Sequence, residues 1–240
     1  MNILVTGGSS GLGRSVVELL SAEKCNNVYF TYKSNKEEAE KISSVFSNAA
    51  AVHCDFIDSD SLEKFINKIP NFNLDVLINN AYSGITLGNH FHKTPVSDFN
   101  IAFQTNILPL ISITQKVIDG FRKKKTGKII TVLTSALIGT PPMGYSVYSA
   151  TKAYIAQLVK CWSKEYIKFG ITSNAIAPDF MQTKLTSETN DFIVEQIKDA
   201  NPMKKLLTIG EVARVIIGLT NASSQLNGIT IPVNAGVNIL

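Results

Sequence analysis

The chain has 240 residues, of which 45% are apolar and 18% charged, and a formal net charge of +4. A chain of this length can bury most of its surface without disulfide staples, and this composition excludes a disordered or fibrous protein. The small positive excess makes no demand for nucleic acid, and it suits an anionic ligand such as a phosphorylated cofactor.

Three widely spaced cysteines, Cys25, Cys54 and Cys161, match neither a disulfide framework nor a zinc site, so they read as reduced thiols. Met1 leads almost directly into an apolar strand, and no apolar run approaches the length of a membrane span. The expectation is a cytoplasmic enzyme with neither membrane nor nucleic acid as a partner.

In chain order, short runs rich in Val, Ile and Leu fall at residues 2–6, 27–31, 49–54, 74–78, 128–133, 172–177 and 228–233. Such runs, without polar alternation, predict strands buried on both faces of a parallel sheet. Helical periodicity fills the gaps at residues 11–22, 36–46, 59–68, 95–123, 146–169 and 209–221. Alternating strands and helices predict one doubly wound α/β domain over residues 1–240, with a seven-stranded parallel sheet flanked by helices. Residues 179–207 break the rhythm just after a strand, where open α/β sheets bind ligands, and are expected to form a substrate lid.

The first strand runs into Thr6-Gly7-Gly8-Ser9-Ser10-Gly11-Leu12-Gly13, which opens the first helix. Glycines there permit a tight turn and a close backbone approach to a pyrophosphate, whose charge meets the helix N-terminus. The second strand ends in Tyr32-Lys33-Ser34. It lacks the acid that would bind a ribose 2′-hydroxyl, whereas Lys33 and Ser34 could hold a 2′-phosphate, with Arg14 nearby in sequence. NADP(H) is therefore expected in preference to NAD(H).

Tyr148 and Lys152 stand four residues apart in a helical stretch and so share a face. A nearby ammonium is expected to lower the phenol pKa by about 1–3 from its ordinary ~10, and such a phenol can protonate a carbonyl oxygen as hydride arrives. Tyr145 has Ser149, not Lys, four residues on, and Thr134 is expected on the strand face opposite to Ser135. Pro109 removes the N–H that would bond the carbonyl of Thr105, so the helix should bend near Asn106. His90 and His92 have no flanking Cys or acid cluster and read as loop residues, not metal ligands.

The glycine spacing at 7, 11 and 13, with Tyr148-Ser149-Ala150-Thr151-Lys152, resembles the short-chain dehydrogenase/reductase family over essentially the whole chain. The resemblance implies a Rossmann-type domain and a catalytic tetrad of Asn106, Ser135, Tyr148 and Lys152. Ser135, thirteen residues before Tyr148, would orient the substrate oxygen, and Asn106 would support a water chain to Lys152. Asp55 and Phe56 would contact adenine, and Asn79-Asn80-Ala81 would form the family's turn beside the cofactor. Pro178, Phe180, Met181 and Thr183 would lie near the nicotinamide, and Tyr148 and Lys152 would also touch the cofactor. Two positions depart from the family's glycines: Tyr82, which must turn away or cover the ribose, and Asp179, whose carboxylate would favour the positively charged oxidised ring.

Within the family, 147–152 and 226–234 most resemble the 3-oxoacyl-(acyl-carrier-protein) reductases of fatty acid biosynthesis. That likeness implies a carrier-bound 3-oxoacyl thioester, with an acyl carrier protein docking on Lys124, Lys125 and Lys168. The same motifs suit reductases of sugars or small ketones, and a cofactor-binding regulatory protein without turnover. A homotetramer is implied, with Ile107, Leu110, Ile111, Ile155, Leu158 and Val159 facing either a partner or the core.

Overall fold

The structure, a computed structural model, describes residues 1–84, 89–183, 186–187 and 189–239. In order they form β1 (Asn2–Val5), α1 (Gly11–Ala22), β2 (Asn27–Tyr32), α2 (Lys36–Val45), β3 (Ala49–His53) and α3 (Ser59–Lys68). There follow β4 (Val76–Asn79), α4 (Val96–Ala102), α5 (Leu108–Lys124), β5 (Gly127–Val132) and α6 (Ser146–Tyr166). The chain then forms β6 (Ile171–Pro178), α7 (Asp191–Ala200), α8 (Ile209–Thr220) and β7 (Thr230–Val233).

The seven strands make one sheet in the order β3-β2-β1-β4-β5-β6-β7, and every pairing is parallel. Alternate side chains of each strand enter opposite cores. Ile3, Val5, Val76, Ile78 and Ile130 pack beneath α1, α2 and α8, whose Val16, Val17, Ala39, Ile42 and Ile216 are buried with them. Leu4, Leu77 and Ile129 face the other way, onto Phe65, Ile113, Val117, Phe121, Ile155 and Val159 of α3, α5 and α6. Two-sided burial is why these runs carry no polar alternation, and each fully buried Ile, Leu or Phe stabilises the fold by about 1.5–3 kcal/mol. The strand order reverses between β1 and β4, which opens a crevice at the carboxyl ends of the strands.

The long helix expected over 95–123 is three pieces. Between α4 and α5, Phe103–Ile107 winds as a π-helical turn, and the Leu108 N–H donates to the Phe103 carbonyl. Pro109 has no N–H to continue the α-ladder, so the widened turn falls where its ring requires it. Ile107, Leu110, Ile155 and Val159 are buried in the core, so they are not available to a partner. The exposed apolar side chains of these helices are others: Val96, Ile101, Phe103, Leu108 and Tyr154. Within 179–207 the chain forms α7; positions 184, 185 and 188 of that expected lid lie outside the described residues. Among the described residues no helix is long and apolar enough to cross a membrane.

Candidate active site

A cavity of about 500 Å³ lies at the carboxyl edge of the sheet. Of the residues named above for cofactor or catalysis, all but Gly8 and Arg14 line it: Gly7, Ser9, Ser10, Gly11, Leu12, Gly13, Lys33, Ser34, Asp55, Phe56, Asn79, Asn80, Ala81, Asn106, Ser135, Tyr148, Lys152, Pro178, Phe180, Met181 and Thr183.

One end is the glycine loop. Gly7 holds φ at +68°, which glycine adopts without strain. A Cβ on Gly13 would overlap the Gly7 carbonyl oxygen and lie 2.5 Å from Asn80 Nδ2. Asn80 ties the loop down: its Nδ2 donates to the carbonyls of Thr6 (3.0 Å) and Gly7 (3.1 Å). The Thr6 hydroxyl in turn accepts from the N–H groups of Asn80 and Ala81. No side chain caps α1, and its first residues line the cavity, so the free N–H groups of its first turn are there for an anion. This cradle fits a pyrophosphate. Gly13→Ala is expected to destabilise the fold by about 1–3 kcal/mol, because the obstacle is backbone, and to weaken dinucleotide binding. Thermal unfolding and NADPH fluorescence titration check this, and unchanged values in both would remove the close-approach argument.

Farther along, Lys33 Nζ pairs with Asp55 Oδ1 at 3.1 Å. Backbone N–H donation from Ile57, and then Lys33, hold the Asp55 carboxyl below its usual range. Lys33 stays about half exposed, so its charge remains accessible from the cavity. Arg14 is not available there: its guanidinium is bound to Glu18 at 2.7 Å and Glu38 at 2.8 Å.

The other end gathers Ser135, Tyr148, Lys152 and Asn106. Lys152 is fully buried; its ammonium donates to the Val132 carbonyl (2.8 Å) and lies 4.5 Å from the centre of the Tyr82 ring. Burial lowers its pKa to about 7. The Tyr148 phenol is pushed up to about 12 by burial, against the opposing effect of a hydrogen bond with Thr134. This corrects the expected depression: Lys152 Nζ is 5.9 Å from the Tyr148 ring centre, its bond goes to Val132, and desolvation outweighs the cation. Tyr82, in place of glycine, does not turn away but lines the cavity. Its ring packs edge-on against Tyr148 at 5.2 Å and covers Lys152.

Asn106 sits in the π-turn, and both ends of its amide are taken by the Ser83 backbone: Ser83 N–H donates to Oδ1 (2.8 Å) and Nδ2 donates to the Ser83 carbonyl (3.0 Å). It thereby anchors the segment that carries Tyr82. Thr134 is not on an opposite face from Ser135. β5 ends at Val132, the chain turns into a short 3-10 helix at Ser135–Leu137, and both side chains line the cavity. Thr134, set aside in the sequence, borders the site, and so does Asn238, which the sequence did not single out. The position of Asn238, outside every motif, carries no spacing signal.

A family model described as short chain dehydrogenase matches residues 1–193. The chain belongs to that family. As a short-chain dehydrogenase it is an NAD(P)-dependent oxidoreductase, and the seven-stranded parallel sheet is the Rossmann-type fold expected of it. It is 30% identical to a 3-oxoacyl-(acyl-carrier-protein) reductase FabG of Staphylococcus epidermidis over 98% of this chain and 97% of that one. It is 31% identical to a FabG of Staphylococcus aureus, over 98% and 96%. Among solved structures it resembles one described as ElxO with NADP bound, with a TM-score of 0.84, 29% identity and 98% coverage of both chains.

Proposed function

We propose that this short-chain dehydrogenase uses NADPH to reduce the ketone of a 3-oxoacyl thioester, with Tyr148 as the proton donor. The observation that carries the reading is that Ser135, Tyr148 and Lys152 line one end of the cavity whose other end is the glycine loop. The pyrophosphate belongs on Gly7, Gly11 and Gly13 with Ser9, Ser10 and Leu12. The 2′-phosphate belongs on Lys33 and Ser34, adenine against Asp55 and Phe56, and the ribose beside Asn79, Asn80 and Ala81. Pro178, Phe180, Met181 and Thr183, which line the cavity, would hold the nicotinamide. Bound there, the reduced cofactor supplies the hydride. Tyr148 would give its proton to the carbonyl oxygen, Ser135 would orient that oxygen, and Lys152 would pass a proton to the resulting phenolate and regain one from solvent water on the side of Asn106. NADP bound to the ElxO relative and the activity in the names of the FabG relatives support the choice.

The chain acts as one catalytic domain in this reading. Thr183, Thr186 and Ile197 bring the segment 179–207 to the cavity wall, which supports its role as a lid. In this reading the enzyme is cytoplasmic, and a homotetramer is supported by the exposed Ile101, Phe103 and Leu108 beside Tyr154 and by β7 lying at a sheet edge. Carrier docking falls to Lys125 and Lys168, since Lys124 is held by Asp75 at 2.6 Å. Both lie just before β5 and β6, at the sheet edge away from the cavity, so they would serve the cavity of a neighbouring copy.

The test is oxidation of NADPH and NADH with an acetoacetyl thioester. Faster turnover with NADPH is expected, and Lys33→Ala should reduce that preference by roughly tenfold, the worth of one charge-assisted bond to phosphate. An unchanged NADPH-to-NADH ratio in the variant would show that Lys33 does not select the cofactor.

A further inference from the structure

Asp179 puts a carboxylate beside the reacting position. It directly follows β6, where its N–H donates to the Val233 carbonyl of β7 at 3.0 Å, so the backbone holds it in place. Its side chain lines the cavity with Ser135, Tyr145 and Tyr148. The Ser135 hydroxyl donates to Asp179 Oδ1 at 3.0 Å. Tyr145, on the other side, has its phenol pKa raised by burial first and then by the Asp179 charge. Among the described residues no cation pairs with Asp179 and no group donates to Oδ2.

A serine hydroxyl has one hydrogen and two lone pairs. Here that hydrogen points to a charged acceptor, which binds it about twice as strongly as a neutral carbonyl oxygen does. Donation from Ser135 to a ketone therefore costs its bond to Asp179, and a ketone with only carbon and hydrogen around the carbonyl offers Asp179 nothing in exchange. A substrate that brings its own donor changes the balance. A hydroxyl or ammonium on a carbon next to the carbonyl can donate to Asp179, at the open Oδ2 or at Oδ1, so the carboxylate keeps a donor when the Ser135 hydrogen turns to the carbonyl oxygen.

We propose that Asp179 is a specificity-determining residue that selects carbonyl substrates bearing a hydroxyl or ammonium group adjacent to the ketone. The proposal rests on the reading of Ser135 and Tyr148 as the groups that meet the substrate oxygen. It narrows the acyl substrate to one substituted next to its 3-oxo group, such as a 4-hydroxy- or 4-amino-3-oxoacyl thioester. An unsubstituted 3-oxoacyl thioester is then a slow substrate. Sites built around a substrate donor discriminate strongly against analogues that lack it, because the polar group is left unpaired.

The test compares hydroxyacetone and aminoacetone with butanone as NADPH-dependent substrates of the wild-type enzyme and of Asp179→Gly, which restores the small residue usual in the family. In the wild type, kcat/KM for the two donor-bearing ketones should exceed that for butanone by about tenfold or more. In Asp179→Gly the ratio should collapse toward one, with butanone turnover rising. Equal turnover of all three by the wild type, or a preference that survives Asp179→Gly, overturns the proposal. Tyr148→Phe separates the two readings: if it retains wild-type rates, the catalytic reading has failed, not the selectivity. If no ketone is turned over, the same ratio is read from ketone binding to the NADPH complex by fluorescence quenching, and equal affinities there overturn the proposal.

Discussion

Tyr148→Phe is expected to lower the rate of carbonyl reduction by about 10²–10⁴-fold, the usual contribution of a positioned general acid. The phenyl ring preserves the edge-on contacts with Tyr82 at 5.2 Å and Tyr145 at 5.8 Å, so the cavity keeps its shape. What is lost is the hydroxyl and its bond with Thr134, worth on the order of 1 kcal/mol of stability. NADPH affinity should therefore be nearly unchanged while turnover collapses. The wild-type pH dependence has a definite sign. With the phenol pushed up to about 12, it stays protonated through neutral and mildly alkaline pH. Reduction, which needs the acid, should be flat with respect to this group over that range. Oxidation of the alcohol needs the phenolate and should rise as pH increases toward the phenol pKa. Steady-state rates in both directions across pH check this, and near-wild-type turnover by the Phe variant would remove Tyr148 from the chemistry.

Local patterns were the legible part of this molecule. Buried strands show as unbroken Val, Ile and Leu runs because both sheet faces are covered, as with Ile3 and Leu4 entering different cores. Gly7, Gly11 and Gly13 are legible because their spacing serves one turn and one helix end. Tyr148 and Lys152 are legible because four residues make one helical face. Even the break at Asn106 could be read, since Pro109 acts on its own helix.

Contacts between distant segments were not legible. Ser135 meets Asp179 because β5 and β6 are adjacent in the sheet and end together, which the spacing of either residue does not reveal. Lys152 lies over Tyr82 because the turn after β4 comes beside α6. Arg14 and Lys124 looked free in sequence, yet each had carboxylates waiting on another element, Glu38 and Asp75. The direction of the Tyr148 pKa failed for the same reason. Helical spacing places the cation on the correct face, but it does not report how deeply both groups are buried or that Val132 has taken the ammonium.

Lys152→Met should abolish most of the activity and at the same time make the protein more stable below neutral pH. The ammonium is buried with one carbonyl partner, Val132, and a ring face, and no carboxylate pairs with it among the described residues. Its pKa falls from an ordinary value near ~10.4 to about 7. Between those two values the unfolded chain holds a proton that the folded chain has released, so stability rises with pH there. Below the folded pKa both states are protonated, and the full penalty of burying the charge is present. A tenfold change in a proton-binding constant is worth about 1.4 kcal/mol, so a fall this large corresponds to a penalty on the order of a few kcal/mol. Methionine fills similar straight-chain volume without a charge. The substitution leaves the Val132 carbonyl without its donor, which costs about 1–3 kcal/mol, less than or comparable to the desolvation it removes. The wild type should therefore melt at higher temperature at pH 9 than at pH 6, and Lys152→Met should flatten that rise. At pH 6 the variant should gain about 2–4 °C for each kcal/mol recovered. A pH-dependent rise that persists unchanged in Lys152→Met would mean that another group carries it and that Lys152 is charged in the folded protein.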